Sequence, residues 1–129
     1  MYKESELTRK IIGVAMKIHR EIGPGFQERI YHKAMIVALE SEGLIVESEK
    51  QFDIKYQNIW VGTFQLDLVV NNKVVVELKA LSGEIPKLFQ TQTISYLKAS
   101  KLEVGLLINF CNPSLEIKRF ANYKNYSNQ

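Results

Sequence analysis

A chain of 129 residues with 46% hydrophobic and 24% charged side chains has the composition of one globular domain, 1–129, large enough to bury a core without disulfides or a structural metal. Its one cysteine, Cys111, rules out an internal disulfide and fits a reducing compartment. A net charge of +3 and a pI near 8.9 tolerate a polyanionic partner without demanding one.

The first residues, MYKESELTRK, are charged and lack the apolar centre of a secretory signal. The run IIGVAM that follows is too short to cross a bilayer, so the expectation is a soluble cytoplasmic protein with no membrane partner. Residues 5–22 place Leu7, Ile11, Val14, Ala15 and Ile18 at helical spacing, and GPG at 23–25 ends that helix. From Phe26 to about Ser41 a second helix is predicted, with Phe26, Ile30, Ala34, Val37 and Ala38 as its apolar side and Gly43 as its stop. Strands follow over 44–56, 59–70 and 73–80, joined by turns at YQN and NNK. After SGEIP, residues 86–100 read as a helix, and VGLLIN at 104–109 reads as a strand buried on both faces. An edge strand at 115–120 and a polar tail complete a core of about 5–120.

The order α-α-β-β-β-α-β implies an α/β fold with a mixed central sheet flanked by helices. The second and third strands form a hairpin, and the third connects through a helix to a parallel fourth. The third strand, VVVELKA at 74–80, is then central, and a central strand carrying Glu77 and Lys79 needs a reason. If NNK is a three-residue loop, Asp67 stands directly opposite Glu77 and both carboxylates point to one side of the sheet, with Lys79 two residues further on. A two-residue turn would send Asp67 to the other face. Side-by-side carboxylates repel, and a hard divalent cation relieves the repulsion while keeping waters that can attack a phosphodiester. Lys79 could orient or deprotonate such a water, or neutralise charge growing on a phosphate. The plainer reading of the same three residues is a solvent-facing ladder of salt bridges across a hairpin.

Other polar residues carry two readings each. Glu28 lies early in its helix, where an acid is favoured by the helix dipole alone. Tyr31, three residues on, could orient Glu28 or be a core aromatic. Gln92 and Tyr96, four apart, share a helix face that either points to a cleft or is ordinary surface. His19 suits the carbonyl end of the first helix, and His32 has no partner in the pattern. The absence of a Cys-His cluster argues against zinc, and no P-loop or dinucleotide fingerprint suggests a nucleotide cofactor. Arg20, Arg29, Lys33, Lys87, Lys98, Lys101, Lys118 and Arg119 could guide a polyanion or be solvated surface charges.

Several separated motifs, GFQERIY with Gly25, Glu28 and Tyr31, LDLVVNNKVVVELKA, QTISYLKAS and GLLINF, together resemble the small bacterial GxxExxY proteins of the PD-(D/E)XK nuclease superfamily. The resemblance runs from about Ile11 to Arg119. It implies a restriction-endonuclease-like core and a metal-dependent phosphodiesterase site in which Asp67, Glu77 and Lys79 match the signature acid, acid and lysine. It also implies Glu28 as a further metal-directed acid beside Asp67 and Glu77, Gln92 as the glutamine of the following helix, and Mg²⁺ or Mn²⁺ as cofactor. Gln65 stands where an arginine is common two residues before the aspartate, which removes one phosphate contact from that strand.

The expected function is therefore a metal-dependent nuclease acting on DNA or RNA. The alternative is a non-catalytic nucleic-acid-binding or assembly module that retains the fold. A third expectation is a metal-bound homodimer with a structural role, using residues 115–120 or the first helix as its interface.

Overall fold

A computed structural model describes residues 4–122. In chain order the elements are α1 (Ser5–Ile22), α2 (Glu28–Ser41), β1 (Val46–Tyr56), β2 (Ile59–Val70), β3 (Val74–Lys79), α3 (Lys87–Ser100), β4 (Val104–Asn109) and β5 (Glu116–Ala121). The strands form one sheet in the order β1-β2-β3-β4-β5, with β3 in the middle. β3 and β4 run parallel through the α3 crossover, and every other neighbouring pair is antiparallel. The expected edge strand is β5, and the polar tail from 123 lies outside the described residues.

α1 and α2 cover one face and α3 the other. Leu7, Ile11, Ala15 and Ile18 of α1 pack with Tyr31, Met35 and Leu39 of α2 over Leu68, Val70, Val76, Leu78, Leu106 and Ile108 of the sheet. On the opposite face Leu97 of α3 packs with Phe64, Leu66, Val69 and Val75. Burying each such aliphatic side chain favours folding by roughly 1.5–3 kcal/mol before conformational entropy is subtracted. α3 sits close on β4 because residue 105 is glycine: a Cβ there would meet Leu97 at 3.3 Å.

α2 buries only part of the predicted stripe. Ala34 and Ala38 pack against the core, whereas Phe26, Ile30 and Val37 are exposed, and Tyr31, Met35 and Leu39, four apart, face the sheet. Both stripes are apolar, so periodicity alone did not choose between them. The Tyr31 hydroxyl explains part of the choice. It donates to the Gly23 carbonyl at 2.7 Å and accepts the Phe26 amide at 3.1 Å, while its ring stacks on Phe110 at 4.5 Å. Tyr31 thus ties down the GPG turn that aims the start of α2, and it makes no bond to Glu28. Gly23 and Gly25 take the left-handed φ values of 89° and 93° that this turn requires.

Two features of the sheet position the polar residues. In β2 the packing side switches: Phe64 and Leu66 join the α3 layer, whereas Leu68 and Val70 join the α1/α2 layer. Strict alternation would keep all four on one face, so the strand turns over at Asp67. The second feature is the connection from β3 to α3. Asn109, fully buried at the end of β4, accepts the Leu81 amide at 2.9 Å and donates to the Leu81 carbonyl at 2.9 Å. Asn112 donates to the Gly83 carbonyl at 2.7 Å, and the Glu116 carboxylate accepts the Ile85 amide at 3.0 Å. The loop is held along its length by side chains from the far end of the sheet.

Candidate active site

The β2–β3 hairpin has the three-residue loop on which the sequence argument depended. Val70 pairs with Val74, Val69 with Val75 and Leu68 with Val76, and Asn71 and Asn72 hold left-handed φ values of 52° and 55° in the turn. Continued by one step, this register sets Asp67 opposite Glu77. At that step the backbone pairing stops and side chains replace it. Glu77 Oε2 accepts the Asp67 amide at 2.8 Å, and Asp67 Oδ2 accepts the Leu78 amide at 2.8 Å. Each carboxylate spends one oxygen on the other strand's backbone and keeps the second for other partners.

Burial and proximity make this pair hard to ionise. Glu77 is only 5% exposed, and its pKa is pushed up to about 8, first by burial and then by the charge of Asp67. The Asp67 amide and Lys79 pull against that rise, and Glu28 adds to it. Asp67 is also raised, by burial above all, against the opposing pull of the Leu78 amide, His32 and Lys79. Glu28, at the exposed mouth of the cleft, is raised first by partial loss of solvent and then by Asp67, with Lys79 and His32 opposing. Tyr96 of α3 is raised by burial, then by Glu77 and Asp67, which puts its hydroxyl within their field.

Lys79 follows Glu77 on the same side of β3. Its ammonium lies 4.1 Å from the centroid of the Phe89 ring at the start of α3, a cation–π contact. Gln92, half-buried, lies three residues after Phe89 and four before Tyr96, on the stretch of α3 that carries both. No hydrogen bond joins Gln92 to the carboxylates.

Beside the pair is a cleft of about 520 Å³ lined by Glu28, Arg29, His32, Lys33, Ser48, Glu49, Gln65 and Asp67 among others. Glu49 stands across β1 from Asp67, between the paired Ser48–Leu68 and Lys50–Leu66, with a left-handed φ of 53°. His32 bridges α2 and β1 through Nε2 to Ser48 Oγ at 2.9 Å. Sequence reasoning gave His32 no partner, because the contact exists only once α2 is laid over the β1 edge. His32 and Glu28, four apart on α2, were the available signal for a shared face. His19, by contrast, donates from Nε2 to the Asn112 carbonyl at 2.8 Å, away from the cleft. Of the basic residues, Arg29 and Lys33 reach the cleft, while Arg20, Lys98 and Lys101 line grooves elsewhere.

A five-stranded mixed sheet between two helices and one, with an acid pair where two central strands part, defines a restriction-endonuclease-like α/β fold. The crystal structure of SSO0001 shares the fold, with a TM-score of 0.60 at 19% identity over 74% of this chain and 50% of that one. The chain therefore spans about half the length of SSO0001. A family model described as the PD-(D/E)XK nuclease superfamily matches residues 5–120, and the chain belongs to that superfamily. No curated protein matches it. Among the described residues no helix is long and apolar enough to cross a membrane.

Proposed function

We propose that the chain is a divalent-metal-dependent nuclease that hydrolyses phosphodiester bonds of DNA or RNA. The observation that carries this reading is the Asp67–Glu77 pair: two carboxyls both raised by burial, Glu77 further by Asp67, set where β2 and β3 part, with Lys79 on the same side. The donor set fits a hard cation, since every candidate ligand atom is an oxygen. Among the described residues no group of three or more His, Cys, Asp or Glu side chains is assembled as a metal cage. Two carboxylates completed by water suit Mg²⁺ or Mn²⁺, which retain several waters, better than they suit zinc.

Asp67 and Glu77 would hold the ion through the oxygens not engaged with backbone, and Glu28 would act from the cleft mouth through a water. A bound divalent ion supplies an acidified water and neutralises charge on the phosphate. Lys79, freed from Phe89 as substrate arrives, would donate to the phosphate or take the proton of the attacking water. Gln92 would donate its amide to the same phosphate.

The test is calorimetric titration of Mg²⁺ and Mn²⁺ into wild type and Glu77→Ala, with cleavage of mixed DNA and RNA substrates on the same samples. Metal binding and cleavage lost together in a folded variant support the reading. Undiminished cleavage by Glu77→Ala ends it. One observation favours a second reading, a non-catalytic nucleic-acid-binding or assembly module: Lys79 rests on Phe89 rather than on either carboxylate. That reading expects salt-sensitive binding without turnover.

A further inference from the structure

Four residues of α2, Arg29, His32, Lys33 and Ile36, follow one another at the spacing of a single helix face, and all four line the cleft beside Asp67. The opposite wall is made by Ser48 and Glu49 of β1 and Gln65 and Asp67 of β2. The cleft is thus acidic at its Asp67 end and cationic along α2. Arg29 and Lys33 are exposed, and neither makes an ion pair among the described residues. The bond Arg29 does make is from Nε to Gln27 Oε1 at 3.0 Å, which holds the side chain along the first turn and uses one of its five N–H groups. A second open groove, lined by Arg29, Ile30, Lys33 and Ala34, continues past the same two cations, so the charged face runs on beyond the cleft. Solvated surface charges need no such convergence beside an acid pair, and the other cation pair that shares a groove, Lys73 and Lys101, faces Glu4 and Glu103 there. Arg20 and Lys98 each border a groove as its single cation.

We infer that this α2 face is a phosphate-binding subsite that takes the nucleic-acid backbone next to the bond being cut, with Arg29 and Lys33 as its cations and the His32–Ser48 pair as its hydrogen-bonding floor. It rests on the nuclease reading of the neighbouring carboxylates for what is bound, and it adds where the backbone lies. Gln65 makes sense in this arrangement. It sits on the wall facing Arg29 and Lys33, so the positive charge absent from β2 is supplied from across the cleft. Glu28 and Glu49, on the same walls, keep a polyanion from settling at the acidic end without a cation there. The backbone is therefore steered to straddle the carboxylates rather than to cover them.

The test compares wild type, Arg29→Gln/Lys33→Gln and Arg20→Gln/Lys98→Gln, the last pair losing the same charge away from the cleft. Fluorescein-labelled DNA and RNA, single-stranded and duplex, are titrated by anisotropy across a salt series, with Mg²⁺ and with EDTA, and cleavage is read on the same samples. The α2 pair is expected to bind about tenfold more weakly near 50 mM salt. Its log–log salt slope should be shallower by about 1.8 on duplex or about 1.4 on single strands. The distal pair should keep the wild-type slope, and His32→Ala should weaken binding. Equal losses from the two double variants, or no binding by wild type in either condition, overturn the subsite. Cleavage separates it from the reading it rests on: binding that depends on α2 without cleavage in any metal sinks the nuclease and leaves the subsite standing.

Discussion

The two hairpins that share β2 start alike and end differently. Both turn through paired residues with left-handed φ, Gln57–Asn58 at 51° and 65° and Asn71–Asn72 at 52° and 55°. The β1–β2 ladder then runs from Tyr56–Ile59 to Val46–Val70, with a register shift at Ile54/Lys55 and a gap where Glu49 faces Asp67. The β2–β3 ladder ends after Leu68–Val76, where Asp67 and Glu77 put their carboxylates in place of backbone partners. A hairpin that closes along its length makes a scaffold, and one that opens early makes room for chemistry. The parting costs little backbone hydrogen bonding, because the amides of Asp67 and Leu78 are still satisfied. It costs ionisation instead, which appears as the raised carboxyls.

The largest effect belongs to the open hairpin. Glu77→Gln keeps a carbonyl oxygen for the Asp67 amide but removes the charge, so the variant should fold and cleavage should fall to background in a gel assay. Should it cleave normally, the distinction between the hairpins loses its functional meaning. In the closed hairpin, Phe64→Ala removes a nearly buried ring stacked between Phe52 and Tyr96. It should lower unfolding free energy in urea by about 3–5 kcal/mol, and kcat, measured well below the melting temperature, should fall far less than in Glu77→Gln.

A third effect concerns pH. Folded Glu77 keeps its proton where an ordinary glutamate, near 4.5, has lost it, and releases it only at about 8. Folding therefore takes up a proton in that window, and stability of the metal-free protein should fall as pH rises through it. The drop is on the order of a few kcal/mol, read as a declining Tm, and Glu77→Gln should flatten it. Added Mg²⁺ should raise Tm more at pH 8 than at pH 5, because the ion and the proton compete for the same oxygens. The smallest effect comes from the turns. Asn58→Gly relieves a left-handed asparagine and should stabilise by about 0.5 kcal/mol with cleavage unchanged.

Much of this architecture is legible in the sequence, for identifiable reasons. The bounds of α1, β2 and β4 follow from strong periodicity and from Gly, Pro and Asn at their ends. The facing of Asp67 and Glu77 depends on one integer, the loop length, and the sequence could state only the condition. The buried side of α2 was read only in part, at Ala34 and Ala38, because two apolar stripes compete on it and Tyr31 finds its stacking partner in Phe110, distant in the chain. Contacts between elements, such as His32 with Ser48 and Lys79 with Phe89, leave no local pattern. The switch of packing side in β2 leaves none either, since Phe64, Leu66, Leu68 and Val70 read as one unbroken alternation.

That switch ties the two halves of the interior into one mechanical unit. Because β2 feeds side chains into the layer on either side of the sheet, neither layer can loosen without dragging the strand that carries Asp67. The protein is hinged, in effect, on the residue proposed to hold its metal. Damage to packing far out on either face reaches the acid pair along a single stretch of backbone, and changes chosen for their distance from the site have no quiet side of the sheet on which to fall.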